Sequence, residues 1–241
     1  AKFCLGLNSG TDALMMSLWS SGIKRGDEVI TSPISFVATA NSIIHVGAKP
    51  VFVDVRDDLN INPDLIEAAI TKNTKAIMPV HWTGRVCEMD KIIKIAKKYK
   101  LKIIEDAAQA TGAYYKGRHA GTFGKISAFS THPLKNLNAL GDGGFIITNE
   151  KKLYDKIKLY RSHGLEGRDD AKIIGVNSRL DSLNAEVLNF RLKKLKSIIN
   201  RRKKNINYYK KYIKTDKVKI LSDGKNEKNA YVMFVTLAEN R

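Results

Sequence analysis

The sequence predicts an α/β fold. Short β-branched runs alternate with helical patterns over the first two-thirds of the 241 residues, an order typical of strands covered by helices. A hydrophobic content of 43% is enough for a substantial core and argues against disorder. No apolar run approaches the roughly 18 residues that span a bilayer, and the first residues do not resemble a signal peptide. We therefore expect a folded, cytoplasmic protein with no membrane partner.

The first half of the chain predicts a helix, two strands, a second helix and a third strand. Apolar Leu14, Met15, Leu18 and Trp19 recur at helical spacing until Gly22 stops the helix. β-branched residues indicate the strands, and a proline at the first helical position indicates the second helix. In order, these elements are Asp12–Ser20, Val29–Thr31, Val51–Val55, Pro63–Ile70 and Ala76–Val80.

The second half continues the alternation. An amphipathic helix at Met89–Tyr99 leads into a strand at Lys102–Asp106. Asp106 therefore lies at the carboxyl end of a strand, where open α/β sheets bind their ligands. The remaining predicted elements are strands at Ala128–Ser130, Phe145–Thr148 and Tyr231–Val235 and a helix from Leu180 to about Tyr212.

Two domains are expected. Residues 1–185 would form a large domain, and residues 186–241 a linking helix and the beginning of a smaller C-terminal domain. The chain has no initiator methionine and begins within a predicted strand, so we interpret it as a piece of a longer protein. Cys4 and Cys87 cannot build a disulfide framework, which fits a reducing compartment. The five histidines lack metal-ligand spacing, so no metal site is predicted.

Lys135 is the most informative residue. It lies in the window Ile126 to Asn149, which holds only Lys135 and Asp142, whereas the overall charged fraction of 27% would place about six charges there. A lysine removed from water loses stabilisation of its ammonium form, so its pKa falls and its neutral amine can attack a carbonyl. The pattern therefore indicates a Schiff-base lysine.

Three other features have structural and functional readings. Ser9-Gly10-Thr11 could be an ordinary helix cap or a phosphate site at a helix N-terminus. Asp106 could be a cap, an ion-pair partner or a catalytic acid, and Phe36 could be a core residue. Taken with Lys135, these features match the needs of a phosphorylated pyridine aldehyde, which requires a lysine, a ring-nitrogen carboxylate, a phosphate cup and a flat surface.

Ordered motifs carry a family resemblance across nearly everything from Asn8 to about Arg202. They are Asn8–Leu14, Gly26–Ile30, Ser35–Asn41, Glu105–Gln109, His132–Leu137, Gly141–Gly144 and Val176–Asp181. Together these segments resemble the pyridoxal-phosphate sugar aminotransferases of the DegT/DnrJ/EryC1/StrS family. The resemblance implies fold type I of pyridoxal-phosphate enzymes, with a mostly parallel mixed sheet flanked by helices, an incomplete small domain and a homodimer that shares its sites.

The resemblance also implies roles in binding pyridoxal 5'-phosphate. Lys135 would hold the cofactor through its aldehyde, and Asp106 would pair with the pyridine nitrogen. The amides of Gly10 and Thr11, with the hydroxyl of Ser130, would bind the phosphate. These two catalytic residues and three phosphate ligands form the centre of the predicted site.

Further residues would complete the site by resemblance. Phe36 would stack on the ring, Gln109 would lie near the ring hydroxyl, and Asn177 would reach the phosphate of the neighbouring subunit. His132 and Arg179 are candidates for substrate binding. One motif departs from the family pattern, because His81-Trp82-Thr83-Gly84 stands where His-Leu-Tyr-Gly is expected.

The implied reaction moves an amino group from glutamate or glutamine to a keto sugar nucleotide by a ping-pong mechanism. Its product would serve a surface polysaccharide or a glycosylated metabolite. A net charge of +18 leaves one alternative open, namely a regulatory protein of the same fold that binds nucleic acid. A second alternative is a catalytically idle subunit that binds the cofactor. However, the basic residues concentrate in Arg191 to Lys219, a pattern more typical of a solvated helix face, and no nucleic-acid partner is predicted.

Overall fold

The structure is a computed structural model and describes residues 1–238. Its strands are β1 (Phe3–Leu7), β2 (Glu28–Thr31), β3 (Lys49–Phe52), β4 (Thr74–Ile77), β5 (Lys102–Asp106), β6 (Tyr114–Tyr115), β7 (Arg118–His119), β8 (Ile126–Ser130), β9 (Gly144–Thr148), β10 (Val218–Ile220), β11 (Glu227–Lys228) and β12 (Thr236–Ala238). Its α-helices are α1 (Gly10–Ser20), α2 (Ala38–His45), α3 (Met89–Lys98), α4 (Lys151–Tyr160), α5 (Ser182–Leu192) and α6 (Leu195–Tyr212).

A seven-stranded sheet organises the large domain, in the order β1-β9-β8-β5-β4-β2-β3. The pairs β2–β3, β2–β4, β4–β5 and β5–β8 are parallel, whereas β9 is antiparallel to both of its neighbours. The predicted mostly parallel mixed sheet is therefore confirmed. The parallel strands end at one edge, which places the ends of β5 and β8 side by side.

Hydrophobic cores lie on both faces of this sheet. Successive strand residues point to opposite faces, so Val29 packs in the core of α1, α2 and α4, while Ile30 packs in the core of α3. Ile104 and Ile103 divide in the same way. Strands buried on both sides are typical of α/β sheets and explain the nearly continuous apolar runs in the sequence.

The predicted helix at Pro63–Ile70 is wrong in type. The segment forms two short 3-10 helices, Pro63–Leu65 and Glu67–Ala69, whose bonds connect residues three apart. Ile66 lies between them and is fully buried, so the packing of its side chain in the core determines the local backbone. A segment of about eight residues gains too few bonds to enforce regular α-helix against such packing.

The predicted helix from Leu180 to Tyr212 is two helices, α5 and α6. They meet at Lys194, whose amide donates to the carbonyl oxygen of Arg191 at 2.9 Å. No proline or glycine lies at this junction, so the sequence carried no signal for it. The proposed domain boundary at residue 185 falls within α5 and stays a prediction.

The predicted strand at Tyr231–Val235 is also wrong, because the strand here is β12. The amides of Ala230 and Val232 donate to the carbonyl oxygens of Gly84 and Thr83, and the Arg202 guanidinium donates to the carbonyl of Val232 at 2.9 Å. The apolar residues thus lie in a loop, which is held in place by hydrogen bonds to the Arg202 side chain and to the loop at residues 83–84.

Several other strands differ from their predicted ends by a few residues. The strand predicted at Val51–Val55 corresponds to β3, which ends three residues earlier, at Phe52. The strand predicted at Ala76–Val80 corresponds to β4, which ends at Ile77. Sequence reasoning gave no element for α2 or α4. Of these two helices, α2 matters most for the site described below.

Candidate functional site

The N-terminus of α1 forms an anion cradle against the end of β8. Ser9 caps the helix through its Oγ, which accepts the amide hydrogen of Asp12 at 3.0 Å. The amides of Gly10 and Thr11 have no acceptor among residues 1–238. A Cβ added to Gly10 would lie 2.7 Å from the Cβ of Ser130. Two free amides and a hydroxyl therefore converge at a positive helix end.

A second contact anchors the segment that follows α4 onto this cradle. Ser178 is fully buried, and its Oγ donates to Asp12 Oδ2 at 2.6 Å and accepts the amide of Asn8 at 3.2 Å. The anchored segment presents exposed Asn177 and Arg179, and Arg179 Nε donates to Asn177 Oδ1 at 3.0 Å. This places two predicted binding residues on one exposed strip beside α1.

Asp106 ends β5 and is buried, with 4% of its surface exposed. Thr39 Oγ1 donates to its Oδ2 at 2.7 Å, and the amide of Ala108 donates to its Oδ1 at 3.1 Å. Burial raises the pKa of Asp106, and these two hydrogen bonds, together with the charge of Lys135, offset only part of that rise. The carboxylate would therefore gain from a further positive partner.

Lys135 lies on the turn that follows β8 and is half-buried. Its amide donates to the carbonyl of His132 at 2.8 Å, which closes the turn. Burial lowers the pKa of the Lys135 amine, and the nearby charge of Asp106 opposes this shift. The shelter predicted from the low-charge window is thus present, and the amine and the carboxylate are close enough to act on each other's pKa.

The turn that carries Lys135 is held by a distant segment. The neighbouring Asn136 is buried, and its Nδ2 donates to the carbonyl of Ala230 at 2.6 Å. The same Ala230 donates its amide to Gly84 at 2.9 Å. The lysine turn and the loop at residues 82–84 therefore share one support.

The remaining predicted residues surround this centre. Gln109 is buried, and its Oε1 accepts the amide hydrogen of Thr83 at 2.7 Å, while its NH2 group has no hydrogen-bond acceptor within residues 1–238. Phe36 is 67% exposed and precedes α2, and His132 is exposed beside Lys135. Their roles, like those of Asn177 and Arg179, stay predictions.

Sequence reasoning missed a buried histidine–carboxylate hydrogen bond beneath the site. Glu105 and His81 are fully buried, with Nε2 and Oε2 2.9 Å apart. His81 Nδ1 accepts the amide of Cys87, so Nε2 carries the hydrogen and donates to Glu105. Burial raises the pKa of Glu105, but His81 and the amides of Gly121 and Gly124 outweigh it and hold that pKa low. This anion fixes β5 directly before Asp106.

The cradle makes a specific prediction for Gly10→Ala. The new methyl group would overlap Ser130 and separate the two walls of the cradle, although alanine favours helix over glycine by about 1 kcal/mol. We expect cofactor phosphate binding to weaken about 10-fold, equal to about 1.4 kcal/mol, without a loss of folding. Fluorescence titration of the cofactor-free, full-length protein with pyridoxal phosphate measures this.

Gly141→Ala is the matched control, because a Cβ there meets nothing within 4 Å. It should bind the cofactor like the wild type. Equal affinities for both variants would show that the walls of the cradle do not hold the phosphate.

Comparison with known proteins decides the family. A sequence model of the DegT/DnrJ/EryC1/StrS aminotransferase family matches residues 1–241. The chain belongs to this family. The predicted fold class is confirmed, and pyridoxal 5'-phosphate is the cofactor of the site.

Individual relatives agree with this family. A pleiotropic regulatory protein from Geobacillus stearothermophilus is 44% identical over 210 residues, which cover 87% of this chain and 56% of that protein. A UDP-N-acetyl-3-dehydro-alpha-D-glucosamine 3-aminotransferase from Acidithiobacillus ferrooxidans is 42% identical over 210 residues, which cover 87% of this chain and 57% of that protein. The chain thus spans about half of the length of these curated relatives.

Solved structures of the family share the fold. The structure of Streptomyces venezuelae DesV in complex with a ketimine intermediate gives a TM-score of 0.95 at 36% identity, and the match covers 99% of this chain and 65% of that one. The residues of this chain fit the cofactor of the family, since the amides of Gly10 and Thr11 have no acceptor within residues 1–238 and could bind an anion, while Asp106 and Lys135 lie close enough to shift each other's pKa.

Two kinds of feature are absent from residues 1–238. None of the helices there has both the length and the apolar character needed to cross a bilayer. Nor does this part of the chain bring together three or more His, Cys, Asp or Glu side chains in a way that could hold a metal ion.

Proposed function

We propose that the full-length protein transfers an amino group from glutamate or glutamine to a keto sugar nucleotide, by a ping-pong mechanism, in the synthesis of an amino sugar for a surface polysaccharide or a glycosylated metabolite. The observation that carries this proposal is that the sheltered Lys135 amine and the buried Asp106 carboxylate lie close enough to shift each other's pKa, at the strand ends that also carry the α1 cradle. Relatives at 40% to 42% identity whose names denote sugar-nucleotide transaminases support the substrate class.

Four residues of the candidate site would each have a task in this reaction. Bound pyridoxal phosphate supplies an electron sink for the bond that breaks at the amino-acid Cα. Lys135 would hold the cofactor through its aldehyde and, as a free amine, would act as the general acid and base. Asp106 would keep the proton on the ring nitrogen. The amides of Gly10 and Thr11 would bind the phosphate.

The amino donor and acceptor can be identified together. The full-length protein is incubated with ¹⁵N-glutamate, or amide-labelled glutamine, and a panel of 3-keto and 4-keto UDP and dTDP sugars, and products are read by mass spectrometry. We expect one sugar to gain the label and initial-rate plots to give parallel lines. Transfer to no keto sugar by a protein with bound cofactor would overturn the proposed substrate class.

A homodimer with shared sites is part of the proposal. Large apolar side chains lie exposed around the site, among them Leu134 at 75% and Leu183 at 71%, which is more than isolated surface residues require. Asn177 lies on the exposed strip beside α1, where it could reach a neighbouring subunit. Light scattering of the full-length protein would give the mass of a dimer.

Mixing two inactive variants tests whether the sites are shared. If Asn177 serves the neighbouring site, mixed dimers of Lys135→Ala and Asn177→Asp contain one site with both native residues, so activity should return. Lys135→Ala mixed with Asp106→Asn is the control, because both changes belong to the same side and every mixed site stays defective. No recovery in the first mixture would mean that Asn177 acts within its own subunit.

A regulatory role is the second candidate. It is supported by the 44% identity to a pleiotropic regulatory protein and by the basic helix α6, which carries Arg201, Arg202, Lys203 and Lys204 in succession. This role predicts nucleic-acid binding whose logarithm falls steeply with the logarithm of salt concentration. Absence of binding at physiological salt, with turnover in the sugar assay, would exclude it.

A further inference from the structure

A chain of hydroxyl groups reaches Asp106 from the start of α2. Thr39 is 2% exposed, and its Oγ1 lies 2.7 Å from Asp106 Oδ2 and 2.5 Å from the Oγ of half-buried Ser35. An ionised carboxylate only accepts hydrogen bonds, so Thr39 donates its single hydroxyl hydrogen to Asp106. Thr39 must then accept from Ser35. The order of donation is therefore fixed as Ser35 to Thr39 to Asp106.

The chain acts on the charge of Asp106. Two titratable groups on other segments, His81 and Lys135, also act on this carboxylate, but neither donates a hydrogen bond to it. Its donors are the Thr39 hydroxyl and the Ala108 amide. A hydrogen bond donated to an anion stabilises the charged form. Thr39 thus opposes the burial that favours a protonated, uncharged Asp106.

We propose that Thr39 is a positioning residue, which with Ser35 holds the Asp106 carboxylate in place and keeps it ionised so that it can retain the proton on the cofactor ring nitrogen. The inference rests on the proposed function, because it requires Asp106 to face that nitrogen. Both hydroxyl residues belong to the segment that also carries Phe36. One segment would therefore set the charge at the ring nitrogen and present the side chain expected to stack on the ring.

The proposal predicts a change in the bound cofactor for Thr39→Val. Loss of the hydroxyl weakens the anion at Asp106, so the ring nitrogen loses positive charge. Protonation of the lysine linkage on the same conjugated ring then becomes easier, and the pH midpoint of the visible band should move upward. The half-reaction with glutamate should slow about 10-fold, as expected for the loss of one hydrogen bond to a charged group. Asp106→Asn should move the midpoint in the same direction and farther.

The experiment uses the full-length holoenzyme and two matched variants. Thr39→Ser keeps the hydroxyl and should restore both the midpoint and the rate to within about 3-fold of wild type. Thr148→Val removes a buried threonine hydroxyl that donates to the backbone carbonyl oxygen of Lys125 at 2.7 Å. This bond lies beside the beginning of β8, whereas Asp106 lies beside a later residue of that strand. Thr148→Val should lower the melting temperature without moving the midpoint.

Each outcome bears on the proposal. A Thr39→Val enzyme with the wild-type midpoint and rate, or a Thr39→Ser enzyme as impaired as Thr39→Val, would overturn it. If Thr39→Val does not fold, Ser35→Ala tests the proposal instead. It should move the midpoint upward by a smaller amount, and an unchanged midpoint would contradict the proposal. Wild-type protein that binds no cofactor or aminates no keto sugar would instead count against the proposed function.

Discussion

Lys135→Ala is expected to remove both the visible absorption of bound cofactor and the transfer of amino groups. Lys135 lies in a half-buried turn, where burial lowers the pKa of its amine and favours the nucleophilic form. Loss of its proton transfer alone should slow the reaction about 10²- to 10⁴-fold, and loss of the covalent link adds to this. Spectroscopy and a single half-reaction with glutamate measure the two effects separately.

Borohydride reduction makes this result specific. Reduction of the native holoenzyme should fix the cofactor on the peptide that contains Lys135, which mass spectrometry locates. Lys152→Ala is the control, since Lys152 is exposed on α4 and should keep both the band and the rate. A normal band in Lys135→Ala, or a label on another lysine, would disprove the assignment.

Asp106→Asn is expected to retain the fold but lose most of the rate. Asparagine keeps the size of the side chain, and its single oxygen can still accept from either Thr39 or Ala108, so one of the two hydrogen bonds that hold residue 106 persists. It carries no charge to hold the proton on the ring nitrogen. Removing a preorganised charge interaction of this kind costs about 10²- to 10³-fold in rate. Rapid-mixing kinetics with glutamate would show this loss, and a rate within about 3-fold of wild type would contradict the role.

The same variant should change how the stability of the cofactor-free protein depends on pH. Burial raises the folded-state pKa of Asp106 above its unfolded value of about 3.9. Its contribution to the free energy of unfolding is therefore complete below about pH 3.9 and is lost as the pH rises through the folded pKa. The melting temperature of Asp106→Asn minus that of wild type should become more positive over this range. A difference that does not vary with pH would contradict the buried, ionised carboxylate.

The chemistry proposed for the site follows from single residues in unusual surroundings. Lys135 drew attention through the missing charges around it, and Asp106 through its place at a strand end. Their supports could not be predicted in the same way. Thr39 is 67 residues from Asp106, and Ser178 is 166 residues from Asp12. Short polar residues of this kind have no periodic pattern, and only the folded chain brings them to their partners.

The fold was predictable for a related reason. Strands buried on both faces produce apolar runs that remain visible in a single sequence, so the strands of the central sheet were found, with errors of two or three residues at the ends of β3, β4 and β8. The errors fall where tertiary contacts decide the local structure. Ile66 draws its segment into 3-10 turns, and Arg202 binds carbonyl groups that a strand at Tyr231–Val235 would have paired.

The bond from Asn136 to the carbonyl of Ala230 ties the reactive turn to a stretch that lies beyond the last long helix. In that stretch, the amides of Ala230 and Val232 donate to the carbonyl oxygens of Gly84 and Thr83. The amide of Thr83 in turn donates to Gln109. Removing the residues after Tyr212 would therefore leave the buried side-chain amide of Asn136 without its acceptor. It would also release the turn that carries Lys135 and the loop at residues 82–84 at the same time. Residues 230–232 thus support the turn that carries Lys135, and a minimal fragment that keeps the candidate site has to include them.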